Sequence, residues 1–346
     1  MPNTPIRSRP WPRHSTGMDD CERRAVERVL ESGELSGFAA TLNGNRGGPE
    51  NIALEEETAA HFGVRHAIAM NSATSGLIAA VGALLLPPGA ELTVTPYSMS
   101  ASVACLLPWG HKPLFQDIDV RGFWIEAGCE SVQVDLFGTL NPDIAAVAPL
   151  VEDAAQAPNA TYRGRYAGTF GLMGVLSLNK YKQWGCGEGG MVLTDDDEMA
   201  FRLRLIRNHA EVLVDEYHHV RRYDLPGYQR LFGFNFRLPE ISAAIAREQL
   251  KKLPGLIAER QDQADYLTSR LCDSGLGLPY VAPGVKSAWY RYAIRCPDSQ
   301  RRDRIVGALA QNGIWAKGGY VRPIHRQPIY GEQRPLPVVE RVEREM

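Results

Sequence analysis

From Leu54 to Thr194 the sequence repeats one pattern, in which stretches with apolar residues at helical spacing alternate with short runs of consecutive apolar residues. Helices are predicted over 54–62, 74–86 and around 101–107, and strands over 66–70, 91–95, 113–115 and 132–136. Asn141 and Pro142 supply a cap and a proline at the first helical position, opening a short helix to Ala148. Pro149 can then start a strand through Leu150 and Val151, because proline is tolerated at a strand's first residue. Residues 174–177 and 190–194 complete the set. Strands alternating with helices demand a mostly parallel sheet covered by helices on both faces, an α/β fold. Ligands of such sheets sit beyond the carboxyl ends of the strands.

The flanks differ in texture. Residues 19–32 carry Ala25, Val26, Val29 and Leu30 at helical spacing, with Gly33 placed to end the helix. Residues 33–52 are rich in Gly and Asn and read as a long surface loop, a candidate active-site flap. Beyond Arg237, residues 239–271 form a long helical pattern expected to break near Pro254. A Pro/Gly-rich joint (275–284), a strand (289–295), a helix (302–312) and a strand (313–316) follow. The expected organisation is an N-terminal arm (1–18), a large α/β domain (19–238) and a smaller α+β domain (239–346), with a cleft between the last two.

Composition removes several functions. Thirty-eight basic against 40 acidic residues leave a formal charge of −2, which gives no field for nucleic acid or an anionic membrane. The longest apolar stretch, 76–86, is too short to span a bilayer. The N-terminus lacks the apolar core of a secretory signal. Six scattered cysteines without a C-x-x-C pair argue against a disulfide framework or structural zinc, so a reducing cytoplasm is expected. The adjacent His218 and His219 lack a partner ligand set and read as a solvated loop, so no metal is expected.

Three segments carry chemistry. Asn71-Ser72-Ala73-Thr74-Ser75-Gly76 joins a strand to a helix, where free amides and hydroxyls can cup a phosphate; ordinary capping by Ser72 or Thr74 explains it equally simply. An apolar run then delivers Glu152 and Asp153, a carboxylate at a strand end or a plain helix start. Third, Ser177-Leu178-Asn179-Lys180-Tyr181-Lys182 precedes the glycine-rich run 185–190. Lysine is scarce, occurring only at 112, 180, 182, 251, 252, 286 and 317, so two in this segment can supply an amine nucleophile, while a glycine-rich turn with surface lysines explains it equally well. A phosphate cup, an acid and a lysine in that order suit pyridoxal 5'-phosphate.

The stretches GGPENIALEEETAAHFGVRHAIAMNSATSG, HKPLFQDID, VEDAAQA, SLNKYKQWGCGEGG, GFNFRLPEISAAIAREQL and PIHRQPIY make the chain resemble the DegT/DnrJ/EryC1/StrS family of pyridoxal-phosphate sugar aminotransferases, of fold type I. The resemblance implies that Lys182 holds the coenzyme as a Schiff base, since Lys182 and not Lys180 fits the family spacing from Ser177 and Glu188. It implies that Asp153 pairs with the pyridinium nitrogen and that Gln156 lies near a ring substituent. Ala73, Thr74 and Ser177 would hold the phosphate, and Asn235, in the G-x-N-x-R motif with Arg237, would reach the phosphate of a neighbouring subunit in a homodimer. His325 would face the substrate, with Tyr330 nearby.

Three departures follow. Where the family stacks an aromatic ring on the coenzyme, Met99 stands nearest, with Tyr97 as the alternative. The stretch 119–152 is short, with a reduced crossover helix. The chain also stops at Met346, ahead of where relatives continue, so the last elements of the small domain are expected to be missing. The activity implied is transfer of an amino group from glutamate or glutamine to a keto sugar, nucleotide-linked, or to a keto-cyclitol. Sugar dehydration on the same scaffold is the alternative, which Lys182 disfavours because dehydratase relatives carry histidine there; a non-catalytic homologue is the other. Residues 33–52 and 209–229 are expected to shape the acceptor pocket.

Overall fold

The structure is a computed structural model that describes residues 17–39, 44–126, 128, 130–210 and 230–346. The first sixteen residues, the centre of the proposed flap and most of 209–229, with His218 and His219, lie outside the described residues. Helices are α1 (Asp20–Ser32), α2 (Pro49–Phe62), α3 (Ala73–Ala83), α4 (Ala101–Ala104), α5 (Ile144–Val147), α6 (Asp197–Arg207), α7 (Glu240–Leu271), α8 (Ser299–Gln311) and α9 (Pro337–Glu345). Strands are β1 (His66–Met70), β2 (Glu91–Val94), β3 (Lys112–Phe115), β4 (Ser131–Val134), β5 (Val151–Asp153), β6 (Thr161–Tyr162), β7 (Arg165–Tyr166), β8 (Met173–Ser177), β9 (Gly190–Thr194) and β10 (Val285–Lys286).

Seven strands form one sheet in the order β1-β9-β8-β5-β4-β2-β3. From β8 to β3 every neighbouring pair is parallel, while β9 runs antiparallel to both β1 and β8. Every residue of β4, β5, β8 and β9 is buried, as strands covered on both faces must be. The parallel order brings the carboxyl ends of β2, β4, β5 and β8 to one edge, and the site is built there.

Several local expectations are corrected. The loop after α1 ends at Gly48 rather than at 52: Pro49 opens α2, and the Glu240 carboxylate accepts the amides of Gly48 and Glu50 at 3.2 and 2.7 Å. That cap comes from α7, far away in sequence. Helix α7 runs through Pro254 without a break, because buried Leu250, Leu253 and Ile257 on the flanking turns offset a proline cost of roughly 3 kcal/mol. Residues 289–295 and 313–316 are not strands. The first turns at Trp289, whose φ of +49° is left-handed, and finds only an isolated bridge, Gly277 to Arg295, whereas a strand needs a partner alongside it. Strand β5 begins at Val151, after Pro149, and carries Glu152 and Asp153 within it. Helices α6 and α9 and the β6–β7 hairpin were not foreseen. The crossover helix α5 is four residues long, as short as the sequence implied.

Candidate active site

The phosphate cup and Ser177 meet through one glycine. Ser72, in extended backbone, caps α3 by accepting the Ser75 amide at 3.0 Å, so ordinary capping is indeed present. It leaves the Ala73 and Thr74 amides, which no helical carbonyl can reach, at the open end of α3. A Cβ on Gly190 would stand 2.5 Å from the Ala73 nitrogen and the Ser72 carbonyl carbon, so only glycine lets β9 pass this helix end. Gly190 pairs in register with Ser177, which is buried at the end of β8. Ala73, Thr74 and Ser177 are thereby gathered at one point, although more than a hundred residues separate them in sequence.

Asp153 ends β5 and is buried. Its Oδ2 accepts the Ser102 hydroxyl at 2.6 Å and its Oδ1 the Ala155 amide at 3.2 Å. Burial pushes its carboxyl up, while the Ser102 bond, the Ala155 amide and the charge of Lys182 oppose that shift. One layer behind, burial and the charge of Glu152 push the Asp135 carboxyl well up. Glu152 accepts the amides of Gly168 and Phe170 at 2.7 and 2.8 Å and that of Gly171 at 3.2 Å.

The two lysines of the third segment diverge. Lys180 is exposed, its Nζ 4.9 Å from the centroid of the Tyr181 ring. The Lys182 amide closes a turn on the Asn179 carbonyl at 2.8 Å, and its Nζ lies 4.3 Å from the centroid of Tyr290. Burial pulls the Lys182 amine down to about 8, Asp153 resists, and Arg291 adds to the fall. An amine poised near neutrality beside a buried carboxylate can act as nucleophile and as proton carrier.

Gln156 is held in place: its Oε1 accepts the Phe137 amide at 2.9 Å and its Nε2 donates to the Tyr320 hydroxyl at 2.9 Å. Tyr97 is wholly buried, its ring 6.2 Å from Phe123 and 5.8 Å from Tyr320. Met99 is half exposed, and its Sδ accepts the Ala101 amide at 3.1 Å. Four residues of this cluster were not read from the sequence: Ser102, Tyr290, Arg291 and Tyr320. Ser102, four residues after Ser98 in a short helix, gave only a weak signal, and the others come from segments past residue 287 whose packing no local pattern reveals.

The remaining candidates lie elsewhere. The Asn235 carbonyl accepts the Asn71 side-chain amide at 3.2 Å, which sets Asn235 beside the cup of its own chain with its side chain exposed. Arg237 donates to Asn208 Oδ1 at 2.8 Å. His325 is buried, its ring 6.1 Å from Phe115 and its Nε2 3.7 Å from Glu340, and burial pulls its pKa down. Tyr330 packs edge-on to the same Phe115 at 5.5 Å. These contacts join His325 and Tyr330 to each other's neighbourhood and not to Lys182 or Asp153.

The gathered residues fit a coenzyme bearing a phosphate, a protonatable ring nitrogen and an aldehyde: open amides beside a buried serine, a buried carboxylate held by a serine, and a readily neutralised amine.

Known proteins carry the same architecture. The sequence profile of the DegT/DnrJ/EryC1/StrS aminotransferase family matches residues 19–129 and 132–345. DesV of S. venezuelae, solved in complex with a ketimine intermediate, is 30% identical, with a TM-score of 0.79 over 94% of this chain and 87% of that one. The Helicobacter pylori aminotransferase PseC, involved in pseudoaminic acid biosynthesis, is 25% identical, with a TM-score of 0.82 over 97% and 92%. An E. coli GDP-4-keto-6-deoxy-D-mannose-3-dehydratase with bound hydrated PLP is 27% identical, with a TM-score of 0.76 over 89% and 85%. The α/β fold-type-I architecture expected from the sequence is the one found, and with its profile matched along nearly the whole length, the chain belongs to the DegT/DnrJ/EryC1/StrS aminotransferase family.

Proposed function

We propose that this aminotransferase moves an amino group from glutamate or glutamine to a keto sugar, nucleotide-linked, or to a keto-cyclitol. The coenzyme is pyridoxal 5'-phosphate, which when bound supplies an electron sink for the carbon that gains or loses the amine. Lys182 is the residue that carries the reading, because it is the lysine turned inward beside Asp153. Lys182 would be the amine that holds the coenzyme through its aldehyde carbon, and the same group could carry the proton at the reacting carbon. Asp153, oriented by Ser102, keeps a proton on the ring nitrogen. Ala73, Thr74 and Ser177 would hold the phosphate, and Met99, exposed where Tyr97 is buried, would be the side chain available to pack on the coenzyme ring. Gln156 holds the Tyr320 hydroxyl at the edge of the site.

Asn235, exposed beside its own cup, reaches toward a second copy of the chain in a homodimer, and Arg237 steadies it through Asn208. His325 and Tyr330 support the acceptor wall: the Ile324 amide donates to the Pro96 carbonyl at 2.7 Å and so ties this segment to the one that carries Met99. Residues 19–238 are read as the coenzyme-binding domain and 239–346 as the smaller one. No helix among the described residues is long and apolar enough to cross a membrane, and we place the enzyme in the cytoplasm. Presence of lysine rather than histidine at 182 favours transamination over the dehydration of the E. coli neighbour.

Reconstitution tests this. Wild-type protein should take up pyridoxal phosphate, gain visible absorbance and lose it on addition of glutamate or glutamine. Keto sugars or keto-cyclitols should restore it, and a panel of acceptors identifies the class. Lys182→Ala should show neither the absorbance nor turnover; unchanged colour and activity in that variant would refute the assignment.

A further inference from the structure

The backbone around Trp289 is held in a shape it would not choose. Trp289 has φ +49°, a left-handed conformation that costs a bulky residue about 1–3 kcal/mol. The neighbours over-determine it. The Ala288 and Tyr290 amides donate to the Gly138 and Phe137 carbonyls at 2.8 and 2.9 Å. The Gln183 side chain donates to the Ala288 carbonyl at 3.1 Å, and Arg260 to the Trp289 carbonyl at 2.9 Å. Gly138 is required there, since a Cβ would stand 2.8 Å from the Trp289 nitrogen. What this clamp fixes is the direction of the next two residues, Tyr290 and Arg291.

Those two residues place a second cation beside Lys182. The Arg291 guanidinium carbon lies 5.2 Å from the Tyr290 centroid, and Lys182 Nζ lies 4.3 Å from the same ring. Arg291 also lies 5.8 Å from the centroids of both Trp315 and Tyr320, so three rings stand within 6 Å of its guanidinium. No acidic side chain among the described residues pairs with it, and its Nε is buried without a hydrogen-bond partner. A buried donor without a partner costs about 1–3 kcal/mol and is kept where a ligand supplies the acceptor. The rings position the guanidinium without neutralising it.

We propose that Arg291 is the carboxylate-binding residue for the amino-acid donor. This rests on the function proposed above, which puts the reacting nitrogen at Lys182. An amino acid must bring its carboxylate close to that nitrogen, and the planar guanidinium fork matches a carboxylate in two parallel bonds. The coenzyme's own anion would have a separate seat, where the start of α3 meets Ser177 of β8.

The test uses the coenzyme-loaded protein and glutarate, a dicarboxylate that lacks the amine and cannot react. By calorimetry, Arg291→Leu should weaken glutarate binding at least tenfold and Arg291→Lys less, with coenzyme content unchanged. In the donor half-reaction, Arg291→Leu should raise the half-saturating glutamate or glutamine concentration more than it lowers the limiting rate. Glutarate affinity within twofold of wild type would overturn the proposal. So would a loss confined to binding of a nucleoside diphosphate, which would assign Arg291 to the acceptor. Failure of the underlying function looks different, since coenzyme-loaded wild-type protein would then keep its visible absorbance on addition of glutamate or glutamine.

Discussion

Gly190→Ala asks whether the meeting of β9 with α3 builds the phosphate seat. The added methyl would sit 2.5 Å from the Ala73 nitrogen and the Ser72 carbonyl carbon and 2.6 Å from the Ser72 oxygen, where ordinary contacts lie at 3.4–4 Å. All three obstacles are backbone, so relief requires α3 and β9 to separate by roughly 1 Å. Neither yields readily. Strand β9 is hydrogen-bonded on both sides, and α3 rests on the sheet so closely that a Cβ on Gly76 would meet Val175 and Val192 at 3.0 and 3.1 Å. Overpacking of that kind costs about 1–3 kcal/mol, and the upper end applies here. The urea midpoint should fall at unchanged slope. The same displacement pulls the Ala73 and Thr74 amides away from a bound phosphate. Loss of one bond to a charged group, about 1.5–3 kcal/mol, weakens the coenzyme roughly ten- to a hundredfold. Equilibrium dialysis against pyridoxal phosphate reads that loss. Gly307→Ala in α8 is the control: with nothing within 4 Å of the new methyl, it should stabilise by about 0.5–1 kcal/mol and leave coenzyme affinity alone. A Gly190→Ala protein with wild-type midpoint and wild-type coenzyme affinity would refute the reasoning.

Three further outcomes are expected. Ser102→Ala removes the 2.6 Å donor to the buried Asp153 carboxylate; the lost charge-assisted bond is worth about 1.5–3 kcal/mol, and coenzyme affinity should fall while Ser98→Ala, one bond removed, does less, both by dialysis. Because Lys182 is drawn down to about 8, coenzyme capture by the coenzyme-free protein should accelerate with pH up to about 8 and then level off, by stopped flow; a rate still climbing at pH 10 would contradict it. The stability sign follows from the same shift. The unfolded chain keeps this proton to higher pH than the folded one, so the coenzyme-free protein gains stability as pH rises from about 8 toward the ordinary lysine value, and Lys182→Met should flatten that rise in urea titrations.

The strand–helix alternation survived folding almost element by element, with β1 and β9 found at the residues expected, because a strand buried on both faces must be apolar along its length. The readings that failed are those in which a distant residue decides. Glu240 starts α2 at Pro49, and packing of its flanking turns carries α7 through Pro254. Residues 289–295 look like a strand locally but pair only at Arg295, through an isolated bridge to Gly277. Ala73, Thr74, Asp153, Ser177 and Lys182 stood out in the sequence as candidates because each sits at a junction between strand and helix or strand and turn, where residue type follows chemistry. Ser102, Tyr290, Arg291 and Tyr320 did not, since nothing in their own neighbourhoods distinguishes them from packing residues.

What the sequence determined by itself is the sheet, the order of the coenzyme-binding motifs along it and the family they belong to, since these depend on local periodicity and residue type. Which serine holds Asp153 and which arginine lies beside Lys182 were decided only by the tertiary structure. Burial, register and long-range hydrogen bonds place those side chains, and each depends on residues that only folding brings near.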